Sequence, residues 1–351
     1  MIRASWVALP VSSPTSSHIT INTEEDMKKF SLLATVFAAV GLFSSVAAQA
    51  EIKPVTLKFA HIYAVQDHWG QTAERFKAAV EERSGGKIKI NIDANGLTGD
   101  WPQSIEGLRM GTNHIVLQSV GALDRYAKSA GVEAYPYLIR DMDHYRAVFT
   151  GPVGQELYDQ IAKESGFKLV GAAYRGARYL TSNRVIQNPD DLHGLKMRVP
   201  PLRMYRSTWT TLGASPVPMG MAELFTSLQH GMIDGQENPL EVIKNVNLFE
   251  VQKNVAETQH TIGAMTLIYS DAYFKKLPEE TRQILQEEGE RVMKEATDRM
   301  IVEEENMKQF LIGKGMAFNA VDREAFATKI QAMDAEFPEL QVWLDKIRAV
   351  Q

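Results

Sequence analysis

Four arginines have the spacing expected of a binding site for an organic acid. Arg175, Arg178 and Arg184 lie within one short stretch, and Arg198 falls near the end of a predicted strand. A guanidinium group matches a carboxylate through two parallel, charge-assisted hydrogen bonds of fixed geometry. Because ligands of open α/β sheets bind beyond the carboxyl ends of strands, Arg198 is well placed to hold one. The alternative for each arginine is an ion pair on the surface or between lobes.

A second concentration of polar groups lies at residues 234–239. Gly235 permits a tight turn there, and the closing proline disfavours helical geometry at the residue before it. The pattern predicts a turn where two elements meet, with Gln236, Glu237 and Asn238 supplying donors and acceptors. On its own, the segment is also typical of an ordinary polar turn.

The sequence lacks the common signatures of an enzyme. It contains no G-x-S-x-G elbow, no P-loop and no H-E-x-x-H motif, and its eight histidines form no pair with the spacing of metal ligands. The absence of cysteine excludes disulfides, thiolate metal sites and a cysteine nucleophile. We therefore expect no catalysis, no cofactor and no metal. A periplasmic enzyme that acts on an organic acid is the alternative, because a pair of acid–base carboxylates leaves no motif.

Length and charge narrow the class further. The chain has 351 residues, 44% of them apolar, which suits one large domain or two modest ones. The net charge of −5 and the lack of a basic stripe exclude a surface for nucleic acid. We expect a globular protein whose partner is a small molecule.

The N-terminal region has the three-part layout of a secretory signal. A basic start at Met27 leads into an apolar run over residues 30–46, and a small-x-small pattern ends at Ala50. Residues 27–50 are therefore predicted to be a signal peptide, so that the mature protein begins at Glu51 in the periplasm of a Gram-negative cell. Residues 1–26 are interpreted as a mis-assigned upstream start, with a natural extension as the alternative. No later run is apolar enough to span a membrane.

Predicted strands and helices alternate along the mature chain. Strands are predicted at residues 55–61, 87–92, 114–118, 168–173, 196–199 and 261–269, and helices at 67–84, 102–110, 145–166 with a break near 151, 204–212 and 221–229. This alternation indicates an α/β fold with a largely parallel sheet. Two such series favour two lobes over one.

The longest helix is predicted from residue 278 to about residue 313. Its apolar residues recur at steps of three or four with one polar interruption at Glu303, and they are Leu285, Gly289, Val292, Ala296, Met300, Met307 and Phe310. A helix of more than thirty residues runs roughly 45–50 Å, so we expect it to cross from one lobe to the other. A coiled-coil dimer is the alternative, but the small residues of the stripe suit close packing within one chain better.

Four segments together resemble one known family. They are residues 179–184 (YLTSNR), 191–200 (DLHGLKMRVP), 212–219 (LGASPVPM) and 234–239 (DGQENP). The chain resembles the solute-binding subunit of tripartite ATP-independent periplasmic (TRAP) transporters, the DctP-type family, over nearly all of residues 55–345. The resemblance implies a two-lobed clamshell with a long helix spanning both lobes. It divides the chain into lobe I (51–175 plus 264–303) and lobe II (176–263 plus 304–351), and its partners are membrane permease subunits.

The resemblance also implies which residues contact the ligand. Arg198 matches the main carboxylate-binding arginine of the family, and Arg178 matches a second arginine that contacts the ligand. Asn238 matches an asparagine that helps to hold the acid group. Gln118 occupies a position that varies with the ligand, and Asp100 falls where relatives often place a polar pocket residue.

Departures from sialate-binding relatives narrow the ligand. Pro201 replaces an asparagine, Met221 replaces an aromatic ring and Gln118 replaces a glutamate, which argues against sialic acid. His61 and residues 67–69 form a polar and aromatic neighbourhood that favours hydroxyl groups, and so a sugar acid such as a uronate or an aldonate. Aromatic acids and keto acids are alternatives, as is a receptor that presents its ligand to a sensor protein. Core packing is the alternative for His61 and for the tryptophan of that segment.

Overall fold

The computed structural model describes residues 52–351. The predicted upstream start at residues 1–26, the signal peptide at 27–50 and the first mature residue, Glu51, lie outside the described residues and stay predictions. Within the described range, no helix combines the length and the apolar character that crossing a membrane requires.

Ten strands of the described chain form one hydrogen-bonded network of two sheets that share a strand. They are β1 (Val55–Ala60), β2 (Ile88–Asp93), β3 (Ile115–Ser119), β4 (Phe167–Ser182), β5 (Lys196–Val199), β6 (Ser215–Pro218), β7 (Gly235–Pro239), β8 (Asn254–Ala256), β9 (Ile262–Ser270) and β10 (Ala317–Asn319). The first sheet has the order β2-β1-β3-β9-β4, and the second continues as β4-β7-β5-β6. The short strands β8 and β10 pair with each other, and β8 also pairs with β4.

Helices cover these sheets and connect their strands. They are α1 (His68–Arg83), α2 (Trp101–Met110), α3 (Met142–Phe149), α4 (Pro152–Ser165), α5 (Arg203–Leu212), α6 (Leu224–Gln229), α7 (Leu240–Asn245), α8 (Asp271–Lys276), α9 (Glu279–Gly313), α10 (Arg323–Ile330) and α11 (Gln341–Ala349). The predicted break near residue 151 is confirmed, because α3 ends before it and α4 begins after it. The α/β class predicted from the alternation is confirmed as well.

The strands are parallel within each half of the fold and antiparallel where the halves join. β1 runs parallel to β2 and β3, and β5 runs parallel to β6 and β7. β9 returns from the second half of the chain and pairs antiparallel with both β3 and β4. The sheets are therefore mixed, which differs from the largely parallel sheet that the alternation predicts.

The strand β4 belongs to both sheets and is interrupted twice. Residues 167–177 pair with β9, and residues 178–182 pair with β7. Two register shifts interrupt the pairing with β9, and each contains a glycine with a positive φ angle: Gly171 at 69° and Gly176 at 89°. These are left-handed conformations that glycine adopts without steric cost. The bulges bend one strand so that it can serve two sheets.

The long helix α9 contacts both halves of the fold. Its 35 residues give a length of about 50 Å at 1.5 Å per residue. It packs on β4, on α1 through contacts that extend from Glu287 to Glu303, and on α7, which follows β7. A Cβ atom on Gly289 would lie 2.6 Å from Cγ1 of Val170, so glycine permits the helix to approach the strand closely. This confirms the predicted helix that spans both lobes.

The predicted apolar stripe of α9 is buried except at its last residue. Phe310 is 38% exposed, and its ring lies edge-on against Phe249 with a centroid distance of 5.8 Å. Leu311 is fully buried in its place. Met307 is buried as predicted, and the difference is confined to the last turn, where position 311 faces the core instead of position 310.

The segment Gly235–Pro239 is a strand, and the turn predicted there is wrong. β7 is buried along its whole length between β4 and β5. β4 pairs with all five of its residues and β5 with the first two, so a segment with unfavourable strand propensity is held extended. Proline at the last position costs little, since the strand ends there.

The boundaries between lobe I (51–175 plus 264–303) and lobe II (176–263 plus 304–351) stay a prediction. The C-terminal helix α11 packs against α4 and against the 3-10 segment Lys128–Ala134. The helix α10 packs against α5.

Candidate ligand-binding site

A small cavity lies where the two sheets meet, at the carboxyl ends of their parallel strands. The walls are formed by Ile62, Trp101, Gln118, Ser119, Arg175, Arg178, Arg198, Pro200, Leu202, Tyr205, Met221 and Asn238. Five of the seven residues predicted to bind the ligand are among them, namely Arg198, Arg178, Asn238, Gln118 and Met221. The sequence predicts Arg198 near the end of a strand, and the cavity lies at that end of the strand.

Arg198 is a buried cation without a counter-charge in contact. It lies near the end of β5 and is 1% exposed. Its Nε donates to the backbone oxygen of Met219 at 3.0 Å, and its Nη1 has no hydrogen-bond partner within residues 52–351. Burial lowers the pKa of Arg198 to about 10. Since a buried charge without a partner is costly, this guanidinium is poised to accept an anion.

Arg178, in contrast, is held by a carboxylate. Its Nη2 donates to Glu237 Oε1 at 2.9 Å, its Nε donates to Oε2 of the same residue, and Nη2 also reaches Asn238 Oδ1 at 3.1 Å. The guanidinium stacks over the ring of Tyr205, 4.9 Å from its centroid. Burial alone would raise the pKa of Glu237, but the adjacent Arg178 and His260 lower it to about 2. The pair is therefore ionised and fixed in orientation.

His260 closes this buried assembly on its far side. Its Nε2 lies 3.0 Å from Glu237 Oε2, and its Nδ1 lies 2.8 Å from the hydroxyl of Thr258. Burial lowers the pKa of His260, so the ring is neutral. Because the Glu237 carboxylate can only accept, we assign the ring proton to Nε2, and Nδ1 accepts from Thr258. Arg178, Glu237 and His260 together therefore carry no net charge.

The amide groups of the cavity are oriented by their neighbours. Asn238 Nδ2 donates to Gln236 Oε1 at 2.6 Å, and Gln236 Nε2 donates in turn to the hydroxyl of Thr181 at 3.0 Å. Gln118 Oε1 accepts from the backbone amide of Ser119 at 2.8 Å. With its oxygen engaged in this way, Gln118 presents its NH₂ group as the donor for a ligand.

Two of the predicted binding residues lie beside the cavity instead of lining it. Asp100 caps α2, because its Oδ1 accepts from the backbone amide of Trp101 at 2.8 Å, and Trp101 does line the cavity. His61 is 2% exposed, with its ring 6.1 Å from that of Tyr63. Burial lowers the pKa of His61 to about 4, and neither ring nitrogen has a hydrogen-bond partner in the described part of the chain. Direct contact of either residue with a ligand stays a prediction.

The cavity also contains residues that sequence reasoning did not assign to it. Arg175 lies on β4 together with Arg178, and the rings of Trp101 and Tyr205 form parts of the wall. The cluster of arginines indicated Arg175 as a candidate, but the strand alternation gave no reason to place it beside Arg178. No sequence signal distinguishes Tyr205 from the other aromatic residues of the helices.

A family model described as bacterial extracellular solute-binding protein, family 7 (DctP), matches residues 59–339. The chain belongs to this family. This chain is 33% identical over 294 residues to a solute-binding protein of Roseobacter denitrificans. The aligned region covers 84% of this chain and 89% of that protein. The chain is also 30% identical over 266 residues to the sialic acid-binding periplasmic protein SiaP of Vibrio cholerae, covering 76% and 83% of the two chains.

Solved structures agree with this assignment. A TRAP periplasmic solute-binding protein of Roseobacter denitrificans with bound L-galactonate is 31% identical, with a TM-score of 0.79, and covers 84% of this chain and 99% of that one. A second, from a Polaromonas species and bound to D-erythronate, is 28% identical with a TM-score of 0.80 and covers 85% and 99%. The predicted TRAP family and two-lobed fold are confirmed. Proteins of this family are extracellular or periplasmic receptors that bind small carboxylates and work with membrane permeases.

Proposed function

We propose that this receptor captures a sugar acid, such as a uronate or an aldonate, and passes it unchanged to the membrane permease of a TRAP transporter. The observation that carries the proposal is Arg198, a buried cation whose Nη1 has no partner within residues 52–351. Relatives support the ligand class, because structures of similar proteins contain L-galactonate, D-erythronate and D-glucuronate.

The carboxylate of the ligand docks on Arg198, and Arg178 and Asn238 complete its hydrogen bonds. Glu237 already engages Nε and Nη2 of Arg178, so that arginine is held rigidly before the ligand arrives. A rigid donor set loses little entropy on binding, which favours affinity. Arg198 contributes the uncompensated charge, and Arg178 contributes orientation.

The hydroxyl groups of the sugar acid contact Gln118 and the polar groups near it. The NH₂ group of Gln118 is the donor left free by its bond to Ser119. The apolar side chain of Met221 and the ring of Trp101 cover the carbon skeleton. The lobes then close over the ligand by a hinge motion, which the ligand favours because it binds to both sheets at once.

A binding experiment on Arg198 tests this function. The purified protein is first screened by thermal shift with uronates, aldonates, aromatic acids and keto acids, since a ligand that binds only the folded state raises the melting temperature. Isothermal titration then compares the wild type with Arg198→Met, for which we expect a loss of affinity on the order of 100-fold. Arg206→Met is the matched control, because Arg206 is exposed on α5.

Two results would contradict the proposal. Equal affinity of the wild type and Arg198→Met for the acid would exclude Arg198 as the carboxylate anchor. Stabilisation by cationic or neutral solutes alone would exclude an organic acid as the ligand. Recovery of the bound acid after incubation distinguishes a receptor from an enzyme, since a receptor returns its ligand chemically unchanged.

Export to the periplasm is part of the same proposal. Residues 27–50 act as the signal peptide, and signal peptidase cleaves after Ala50. N-terminal sequencing of the protein recovered from a periplasmic extract should begin at Glu51. A product that retains the preceding residues in the cytoplasmic fraction would contradict this assignment.

A further inference from the structure

The second bulge of β4 brings two arginines to the same cavity. Tyr174 pairs with Ala264 and Ala177 pairs with Ile262, so β4 uses three steps where β9 uses two. In a regular strand, side chains three positions apart point to opposite faces. The extra residue reverses this relation, and Arg175 therefore lines the same cavity as the arginine three positions later.

Glycine makes this arrangement possible. Gly176, next to Arg175, has a φ angle of 89°, and a Cβ atom there would lie 3.4 Å from Cβ of Pro239. Residues with a side chain rarely adopt this φ angle. The bulge is therefore a property of the sequence at this position, and so is the presence of Arg175 in the cavity.

Arg175 has no acidic partner in contact within residues 52–351. It is half-buried, and it forms neither a hydrogen bond from its side chain nor an ion pair with any residue of the described range 52–351. The charge of Arg175 favours the ionised form of the buried Glu133, but the two groups are not in contact. The two oxygens of Glu133 accept instead from the backbone amides of Gly121 at 2.9 Å and Ala264 at 2.8 Å. The guanidinium of Arg175 is thus left for a ligand.

The charges around the cavity call for more than one anionic group. Three guanidinium groups line it, and no carboxylate is among its lining residues within the described chain. Glu237 compensates Arg178 through contact. Arg175 and Arg198 have no such contact with any residue from 52 to 351. A ligand with one carboxylate compensates one of these two cations. A ligand with two carboxylates compensates both.

Arg175 and Arg198 also lie on different walls. Arg175 lies in the part of β4 that pairs with β9 of the first sheet. Arg198 is held by the backbone oxygen of Met219, next to β6 of the second sheet. Two cations on different walls suit an extended ligand with an acidic group at each end.

We infer that Arg175 determines specificity by binding a second carboxylate, so that the site prefers a sugar diacid (an aldarate) to the monoacid of the same length. This inference rests on the proposed function, because it assumes that Arg198 holds the first carboxylate. The NH₂ group of Gln118 lies in the same cavity and is available to the hydroxyl groups of the sugar acid.

The test compares two acids that differ in one group. Galactarate carries a carboxylate where L-galactonate carries a primary alcohol, and the remaining stereocentres are the same. Isothermal titration of the wild type should show about tenfold or greater preference for galactarate, since one added charge-assisted contact contributes about that much. Arg175→Met should reduce galactarate affinity by about the same factor and change L-galactonate affinity by less than about threefold, which removes the preference.

Controls separate recognition from folding. Binding of L-galactonate to Arg175→Met shows that the variant is folded, and Arg175→Lys, which keeps the charge but not the planar pair of donors, should retain part of the preference. Arg206→Met, on the exposed face of α5, should leave both affinities unchanged.

Three outcomes would overturn the inference. A wild type that binds both acids equally, or L-galactonate more tightly, would exclude a second carboxylate site. An equal loss of affinity for both acids in Arg175→Met and Arg175→Lys would give Arg175 a structural role instead. Binding of no sugar acid by the wild type would overturn the proposed function, and this inference with it.

Discussion

The hydroxyl of Tyr174 donates a hydrogen bond of 2.6 Å to Glu304 Oε2, which ties the shared strand to the long helix. The backbone amide of Ala177 donates both to this hydroxyl at 2.8 Å and to Glu304 Oε1 at 3.1 Å. Tyr174 and Ala177 flank the second bulge of β4, and Glu304 belongs to α9. One carboxylate therefore holds the bulge in place where the two sheets join.

We expect Glu304→Gln to lower the free energy of unfolding by about 1–3 kcal/mol. The amide has one accepting oxygen instead of two, so it cannot accept from both the tyrosine hydroxyl and the Ala177 amide, and one of these two hydrogen bonds to residue 304 is lost. Denaturant unfolding measures the change. Glu305→Gln, the exposed neighbour, should change stability by less than about 0.5 kcal/mol. Equal effects in the two variants would contradict a specific role for Glu304.

Glu237→Gln should be more destabilising, by about 3–5 kcal/mol. The substitution leaves Arg178, which is 3% exposed, as a buried cation without a charged partner. Thermal unfolding checks this expectation, with Glu223→Gln, an exposed residue before α6, as the control. If Glu237→Gln had the same melting temperature as Glu223→Gln, the ion pair would be dispensable for stability.

The pH dependence of stability should contain a contribution from Glu241. Its side chain is buried, and its Oε1 has no hydrogen-bond partner within the described residues. Burial raises the pKa of Glu241 to about 8, with Asp67 and Glu303 adding to the effect, while Arg175 and a hydrogen bond from Trp69 oppose it. The folded state therefore holds this proton more tightly than the unfolded chain, whose carboxyl has a pKa near 4.5. The stabilisation is complete below pH 4.5 and is lost as the pH rises to about 8.

Glu241→Gln tests this contribution, because an amide mimics the protonated carboxyl and does not titrate. The wild type and the variant should be about equally stable near pH 5, and the variant should be more stable near pH 8. Glu250→Gln, an exposed residue, should follow the wild type at both values. Parallel pH profiles of stability for the wild type and Glu241→Gln would show that the pKa of Glu241 is the same in the folded and the unfolded state.

Gly176→Ala should lower stability by about 1 kcal/mol or more, since alanine at a φ angle of 89° is strained. The same change should reduce the preference for galactarate over L-galactonate, because it disturbs the bulge that places Arg175. Gly313→Ala, at the end of α9, has open space around its Cβ position and serves as the control. Unfolding and titration together measure both effects, and a stable variant with unchanged preference would contradict the link between bulge and specificity.

The site could be predicted from sequence where a residue's position depends on its own strand. Arg198 follows from a short strand that ends near it, and Asn238 and Gln118 follow from the family resemblance. Arg175 could not be placed, because its orientation depends on one extra residue in β4 relative to β9, a relation between distant segments.

The fold shows the same distinction between local and distant causes. The long helix α9 could be predicted because its apolar residues recur along one stripe. The strand β7 could not, since its residues favour a turn and only pairing with β4 and β5 keeps them extended. Similarly, the antiparallel insertion of β9 between β3 and β4 is decided by chain topology, which a single sequence does not reveal.

Because β4 passes through both sheets, residues at the junction of the sheets also line the proposed binding cavity. Rotation of one proposed lobe against the other would change backbone torsions near residues 174–178, among them Arg175 and Arg178, as well as in the other segments that connect the lobes. A bound diacid would therefore contact the junction of the two sheets as well as the two lobes on either side of it. Substitutions in this strand that change ligand specificity should also change the rate of lobe closure.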